Sequence, residues 1–546
     1  MKIEIPQIFW HGNNDRVMSI DFYPHTNYLV TCGAESEDKM WVKLWDLTQY
    51  TPPAQTVPEP QVSTTSDLQP QNQDKIPIIQ NSDNPEEITT CLRPVFIAEL
   101  TGAHTATVNI ARFSPNGMYL ATAGDDRTIV IWVQKSKPVS FGSSEEKVSW
   151  CNAKIMRGHL SDVYDISWSP DSQYLISGSV DNSAIVWSIE KGKGIQKFTD
   201  HNHFVQGVSW DPRNKYIVTQ SSDKSVRFYK NAFSKQDMKF YYLNQMKRFE
   251  KAKNVCDQQK EKINKSQEDL DPNKTDKMII DEEEKPISNE KDKDVEMANP
   301  NNMTPSKNLT THYYFADEAQ CPSFVRRLSW SPDGSICLLV SGITKSQTSN
   351  ELNFVVWGMS RKDFSHPLFY IPTLDKSSVC VRFCPILFKK ENKLEENKDS
   401  PPALLDLPYV MVFAIATIDS VYIYGTDSIN PRFAITNIHY QALTDLAWNG
   451  DSILAISSSD GYISFCSFEK GELGIPLNPE EIVNDEKLKT AYEMYLNIDI
   501  NKNIQQNTMI TSIIKPKKKK EETISNINNP NNINVNNNIS LNNIVS

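Results

Sequence analysis

Residues 159–187 read HLSDVYDISWSPDSQYLISGSVDNSAIVW, and within them His159, Asp181 and Trp187 are separated by 22 and then 6 positions. The preceding stretch, HTATVNIARFSPNGMYLATAGDDRTIVIW (104–132), puts His104, Asp126 and Trp132 at the same offsets. The following one, 201–229, does so with His201, Asp223 and Tyr229. In each, an apolar alternation runs up to a Pro turn and a second apolar run leads to the Asp. Period-two alternation with Pro, Asn, Asp and Gly punctuation every roughly 8 to 12 residues predicts short antiparallel strands. Each stretch is therefore read as one small sheet.

A looser form of the template recurs from His11 to Trp45, from Phe324 to Trp357, from Val379 to Tyr424, and from His439 to Cys466, where Asp460 keeps the six-residue spacing to the last position. A repeat of roughly 40–45 residues with a His, a turn Asp and a terminal Trp is the pattern of WD40 propeller blades. The reading is an all-β, seven-bladed WD40 β-propeller over residues 1–475. Disordered insertions are expected at about 48–93, 231–310 and 388–406, and a low-complexity Asn/Lys-rich tail over 476–546. A single sheet cannot bury both faces, so the blades must pack round an axis, and a strand from one terminus must shut the ring. Ile3, Ile5, Ile8 and Trp10 are expected to supply it beside the last blade.

The chain has 546 residues, of which 57 are basic and 68 acidic, a net charge of -11. Coating nucleic acid requires a basic excess, so the balance argues against that as the main role, leaving room for a local basic patch, and no direct sequence-specific DNA binding is expected. Nine cysteines without a CxxC pair fit reduced thiols rather than a disulfide framework. The N-terminus has no signal-peptide apolar segment. The longest apolar run, near Tyr409 to Ala416, falls far short of the ~20 residues that cross a bilayer, so no membrane association is expected.

His104, Thr122, Asp126 and Trp132, and again His159, Ser177, Asp181 and Trp187, are expected to satisfy one another's hydrogen bonds inside their blades. His201, Asp223 and Tyr229, and His439 with Asp460, repeat the theme. Recurrence once per blade argues for architecture, because catalysis needs one constellation only. The sequence holds no phosphate loop, HExxH, GxSxG elbow or Gly-rich dinucleotide turn. Cys380 and Cys384, in VCVRFC without nearby His, read as core thiols. No catalytic residue, cofactor or metal is expected, which leaves a binding platform. Arg326 and Arg327, ahead of Leu328, Ser329 and Trp330, are the candidate partner-binding pair, with one of them facing solvent or a neighbouring blade's carboxylate.

GHLSDVYDISWSPDSQYLISGSVDNSAIVW (158–187) and HNHFVQGVSWDPRNKYIVTQSSDKSVRFY (201–229) go beyond a generic blade. With FVRRLSWSPDGS (324–335), LPYVMVFAIATIDSVYIY (407–424) and NIHYQALTDLAWNGDSILAISSSDGYISFCSFEKGELGIPL (437–477), they resemble the middle WD40-repeat subunit family of chromatin assembly factor 1. More distantly they resemble the histone regulator HIR family. The resemblance covers nearly all of the propeller and none of the insertions or tail. DVYDISW and SFEKGELGIPL look like the chromatin assembly branch; most HIR members carry a long further C-terminal domain that this chain is too short to contain. The resemblance implies a non-catalytic nuclear subunit of a heterotrimeric histone chaperone that deposits core histones in nucleosome assembly coupled to DNA replication and repair. Its implied partners are a large acidic subunit, a small WD40 subunit, core histones and the anti-silencing-function histone chaperone. A replication-independent HIR-type corepressor, or a generic WD40 adaptor in another nuclear complex, are the alternatives.

Relatives often dock that chaperone through a tail peptide with two basic residues, then Ile, a spacer and Pro. Here Ile514 and Pro516 in TSIIKPKKKK approach it, with Ser512 and Ile513 in place of the basic pair. Lys515, Pro516, Lys517, Lys518, Lys519 and Lys520 are read instead as a nuclear import signal, since an exposed lysine run suits an acidic groove; a merely solvating charge run is the plain alternative. Phe240 to Ile263 has i,i+4 charge pairs suited to a short helix. The acidic DEEEK (281–285) is read as a screen for histone lysines.

Overall fold

The structure is a computed structural model that describes residues 1–478, except 7, 9, 12–14, 35–39, 51–90, 136–148, 234–237, 247, 250–311, 317–318, 346–351, 374–375 and 391–401. Among the described residues all regular structure is β-strand, in seven antiparallel sheets. A short strand, β1 (Lys2–Glu4), precedes the first blade, which is β2 (Val17–Phe22), β3 (Tyr28–Ala34), β4 (Met40–Tyr50) and β5 (Cys91–Glu99). The second is β6 (Val108–Phe113), β7 (Tyr119–Gly124), β8 (Thr128–Lys135) and β9 (Ser149–Arg157), and the third β10 (Val163–Trp168), β11 (Tyr174–Ser179), β12 (Ala184–Ser188) and β13 (Lys193–Phe198). Blade 4 is β14 (Val205–Trp210), β15 (Tyr216–Ser221), β16 (Ser225–Phe233) and β17 (Met238–Met246). Blade 5 adds a ribbon, β18 (Arg248–Phe249) and β19 (His312–Phe315), to β20 (Ser329–Trp330), β21 (Ile336–Lys345), β22 (Leu352–Ser360) and β23 (Asp363–Pro372). Blade 6 is β24 (Ser378–Lys389), β25 (Tyr409–Thr417), β26 (Ser420–Gly425) and β27 (Phe433–Thr436). The last is β28 (Leu443–Asn449), β29 (Ile453–Ser458) and β30 (Ile463–Ser467).

The sequence alternation gives strands, and packing between blades explains why many are buried on both faces. All six residues of β6 and of β14 are buried. The first strands of successive blades pack side by side, and β2 meets β28, so the ring is closed. Each junction holds its own apolar cluster: Trp132, Val130 and Cys32 between blades 1 and 2, Trp187, Ile131 and Ile166 between blades 2 and 3, and so on round to Trp10, Trp45 and Phe465 between blades 1 and 7. The tight turns use left-handed positions at matching places. Gly117, Ser172, Asn214 and Gly334 end the Pro turns after the first strands, and Arg127, Asn182, Lys224 and Gly461 follow the turn aspartates, all with φ between 58 and 86°.

The N-terminal run closes the ring in two ways. Lys2–Glu4 pairs antiparallel with β30, as the fourth strand of blade 7, in the register Ile3↔Cys466. Trp10 does not extend that strand; it is fully buried, with its ring edge-on to Trp45 at 4.8 Å.

Three expectations need correction. Strands occupy 48–50 and 91–93, 231–233 and 238–249 apart from residue 247, and 388–389, so regular pairing continues into each of the intervals assigned to insertions. Met238–Met246 is the outer strand of blade 4, not a helix: Phe240 turns inward against Trp210 and β17 finds a ready edge in β16, which outweighs a helix with little apolar face. The third correction, at Arg326 and Arg327, belongs to the axis of the ring. The first interval leaves and re-enters within blade 1, between β4 and β5, and the residues 391–401 fall inside the β24–β25 hairpin.

Candidate functional site

The repeated polar residues come together inside the blades. In blade 2, His104 lies 2.9 Å from Asp126 through Nδ1 and 2.7 Å from Thr122 through Nε2, and the Trp132 indole donates to Thr122 Oγ1 at 2.8 Å. In blade 3, His159, Asp181, Ser177 and Trp187 repeat the chain at 3.1, 2.6 and 2.8 Å. An indole N–H can only donate. A carboxylate can only accept, so Nδ1–H donates to it; Nε2 of that tautomer accepts from the hydroxyl, whose oxygen in turn accepts from the indole, and the histidine tautomer is assigned from the network. Each carboxylate also caps backbone, Asp126 accepting from the N–H of Thr105 and of Thr128. Burial pushes Asp126 up, but the His104 hydrogen bond and its partners outweigh it and hold the carboxyl at about 2. Asp181, Asp223 and Asp460 are held below the usual range by the same balance.

The variants of the network follow their sequences. His201 bonds Asp223 at 3.0 Å and Thr219 at 2.7 Å, while Tyr229, in place of the Trp, donates its hydroxyl to Asp200 at 3.0 Å. His439 bonds Asp460 at 3.1 Å and takes its hydroxyl from Ser464, on β30, at 2.9 Å. His11 has Thr31 and Trp45 without a carboxylate, Gly33 standing at the Asp offset. Burial, aided by the nearby Lys43 charge, pulls its pKa down to about 3, so it is a neutral core residue.

A second polar cluster, on the axis, is made by the innermost strands. Asp445 of β28 is fully buried and accepts from Arg112 of β6 at 2.6 Å and from Ser19 of β2 at 2.8 Å. The Arg327 guanidinium stands 3.2 Å from the same carboxylate, and Arg382 of β24 3.4 Å. Burial raises Asp445, yet the three guanidiniums overcome that and hold it below the carboxylate range. Arg327 enters from blade 5 and crosses the axis, where it donates to the backbone carbonyls of Thr444 (2.6 Å), Asn109 (3.1 Å) and Met18 (3.2 Å), in blades 7, 2 and 1. Those carbonyls belong to residues left over at a register shift in the first strand of each blade, which frees them to accept.

Of the two places expected for Arg326 or Arg327, solvent is ruled out, since both are fully buried and neither is open to a partner, while Arg327 takes the other, facing the carboxylates of Asp445 and Asp165 in neighbouring blades. The chain ahead of β20 bends inward, and Arg327 pairs through its backbone with Val379 and Val381 of blade 6 instead of continuing β20. Arg326 donates to the Ala316 carbonyl. Ile514, Lys515, Pro516 and Lys517 to Lys520 lie outside the described residues. Arg112, Asp165, Arg382 and Asp445 escaped sequence reasoning, although a signal existed. Asp21, Arg112 and Arg382 stand three residues before a turn proline, and Asp165 and Arg327 five, each a charge in or just ahead of a first strand, while Asp445 has no such proline and is marked only by its place in β28.

Chemically, both clusters consume their own charges. Cys380 and Cys384 are buried, and desolvation pushes each thiol up to about 12, away from the thiolate that would attack or ligate. Among the described residues no group of three or more His, Cys, Asp or Glu is placed to hold a metal ion. The arrangement pins seven blades together and leaves rims and loops for contact.

The family model for the CAF1B/HIR1 beta-propeller domain matches residues 86–268 and 272–473, and that for a WD domain, G-beta repeat, matches 5–46. A chromatin assembly factor 1 protein of Gallus gallus is 33% identical over 407 residues, 71% of this chain and 62% of that protein, so the chain spans about three-fifths of that relative. Its namesake in Schizosaccharomyces pombe is 31% identical over 503 residues, 87% of this chain and 89% of that protein. Protein HIR1 of Yarrowia lipolytica is 27% identical over 402 residues, 69% of this chain and 31% of that protein.

Proposed function

Because the chain belongs to the CAF1B/HIR1 β-propeller family, we propose that it is the non-catalytic WD40 scaffold of a chromatin assembly factor 1 complex. In this reading it supports deposition of core histones in nucleosome assembly coupled to DNA replication and repair. The observation that carries it is the higher identity to chromatin assembly factor 1 proteins than to HIR1 proteins over similar shares of this chain. The internal neutralisation of the blade and axial clusters supports a platform over an enzyme, because the polar groups that repeat in the sequence are hydrogen-bonded to one another. Its partners are the large subunit, the small WD40 subunit, core histones and the anti-silencing-function chaperone, with Ile514 and Pro516 the weak docking candidate for the last. It acts in the nucleus, and Lys515 to Lys520 are the proposed import signal.

The test is affinity purification of the tagged full chain from nuclear extract, with a turnover-free preparation expected. Co-elution of a larger subunit, a second propeller protein and core histones supports the reading. A pull-down lacking both histones and the large subunit overturns it in favour of another adaptor role. Recovery of histones without recruitment to replicating DNA would replace it with the HIR-type function.

A further inference from the structure

The connections from second to third strand, and from each outer strand to the next blade, emerge at one end of the ring, because consecutive antiparallel strands reverse direction. In blades 2 to 4 these are residues 125–127, 158–162, 180–183, 199–204 and 222–224, with six aspartates against Arg127 and Lys224. At the opposite end the described connections of the same blades, 114–118, 169–173, 189–192 and 211–215, balance three acidic with three basic residues. One face is therefore acidic by placement. Asp126, Asp181 and Asp223 belong to the blade networks, and Lys197 reaches Asp181 at 3.5 Å. Asp125 accepts from the Asn109 amide at 2.7 Å and Asp200 from the Tyr229 hydroxyl at 3.0 Å, neutral donors that leave each charge in place. Partial burial and the neighbouring Asp125 charge push Asp162 above the usual carboxylate range, with Arg127 opposing.

The same face carries apolar side chains that the core does not take up. Leu160, in the loop that holds Asp162, is 74% exposed, and Phe324, ahead of blade 5, is 59% exposed. The Phe324 ring meets the partly exposed Tyr164 ring edge-on, with centroids 6.2 Å apart, joining blades 3 and 5. Gln206 of β14 steadies the loop at Phe324, donating to the Ser323 carbonyl at 3.2 Å while accepting from Ser222 at 2.7 Å. Behind them Arg327 crosses the axis to the Asn109 carbonyl at 3.1 Å, so the mouth of the ring has a floor and a ligand lies across it. Exposed apolar groups rimmed by polar ones mark interaction surfaces, and aromatic rings also take a cation on their faces.

We propose that this face of blades 3 to 5 docks an extended peptide that sets a large apolar side chain against Leu160, Tyr164 and Phe324, with lysine or arginine beside Asp125, Asp162 and Asp200. Charge complementarity selects that occupant. A polyanion would meet the aspartates, and a two-fold dimer through this face would set them against their own copies. The proposal goes beyond the chromatin reading and rests on loop composition and exposure. Opposite charges speed association and fix register, an advantage that falls as salt rises.

Random heptapeptides displayed on phage, panned on the immobilised full chain and counter-selected on the Phe324→Ser, Asp162→Lys double variant, supply the test. Enrichment of a large apolar residue adjacent to Lys or Arg is expected on the wild type alone. No enrichment, enrichment of acidic or uncharged sequences, or the same sequences on both chains overturns the proposal. Fluorescence anisotropy with the most enriched peptide then maps the site. Phe324→Ser should weaken binding on the order of tenfold, the worth of one buried large apolar side chain, at an unchanged melting temperature. Asp162→Lys should weaken it too and reduce its salt dependence, whereas Glu190→Lys, in blade 3 at the opposite face, should leave it unchanged. Should Phe324→Ser lower the melting temperature, Leu160→Ser at the more exposed residue carries the same expectation. No loss in either apolar variant, equal losses for Asp162→Lys and Glu190→Lys, or a wild-type dimer that Phe324→Ser abolishes refutes peptide docking on this face.

Discussion

Arg327 shows how one side chain can join distant parts of a ring. Its guanidinium bonds carbonyls in three blades and stands beside Asp445, while its Nε lies 3.8 Å from Asp165 in a fourth. Replacing it with Met leaves the carbonyls of Met18, Asn109 and Thr444 without these donors, and Asp445 with two guanidiniums instead of three. Breaking a buried pair by removing one partner costs about 3–5 kcal/mol. We therefore expect Arg327→Met to lower the unfolding free energy by that amount, measured by urea titration of the full chain, and Arg327→Glu, which sets a second carboxylate against Asp445, to prevent folding. A wild-type midpoint for Arg327→Met would show that the axis is held by apolar packing alone.

At the scale of the element, the N-terminal segment joins the two ends of the chain by two contacts that truncation can separate. Removing residues 1–4 takes away β1 and the amino-terminal bond to Glu472, leaving β30 an open edge. Removing residues 1–10 also takes Trp10 from the junction of blades 1 and 7, and deletion of a buried large aromatic costs about 3–5 kcal/mol. Thermal denaturation should show a modest loss for the shorter truncation and a much larger one, with aggregation through the exposed edge, for the longer. Equal melting temperatures for the two would show that strand pairing alone closes the ring. The β1 contribution was legible in the alternation of Ile3 and Ile5, and the blade tetrads in a His, Asp and Trp spacing, because both patterns are local. Trp10 was misplaced, and the choice between solvent and a carboxylate at Arg327 was left open, for the opposite reason. Their environments are set by residues such as Phe465 and Thr444, brought close only by closure, and a doubled Arg before a strand looks the same whether it meets solvent or an axis. The strand β17 was missed because it heads a segment whose charge pairs, all from Lys247 onward, suit a helix, while its partner, β16, runs into an interval that composition assigns to an insertion.

For the whole molecule, the largest internal interval between described strands leaves and rejoins a closed ring at one ribbon, β18 and β19. Arg248 pairs with Tyr314 and Phe249 with Tyr313, so the 62 residues of 250–311 start and finish at neighbouring points of one antiparallel ribbon. Loop-closure entropy grows by about 0.6 kcal/mol per doubling of length. Replacing 250–311 with a four-residue turn containing Asn-Gly, which suits a tight hairpin, shortens the loop by about four doublings and should stabilise the fold by about 2 kcal/mol. A deletion beginning at residue 243 would instead cut β17 and conflate two effects. Urea unfolding in about 0.5 M salt, where exposed charge contacts are largely screened, isolates the entropic gain. A rise in midpoint at unchanged slope is expected, since the same propeller surface unfolds. A fall in midpoint would mean that the segment contributes packing to the ring, and blade 5 would then have to be redrawn with part of 250–311 as an integral element.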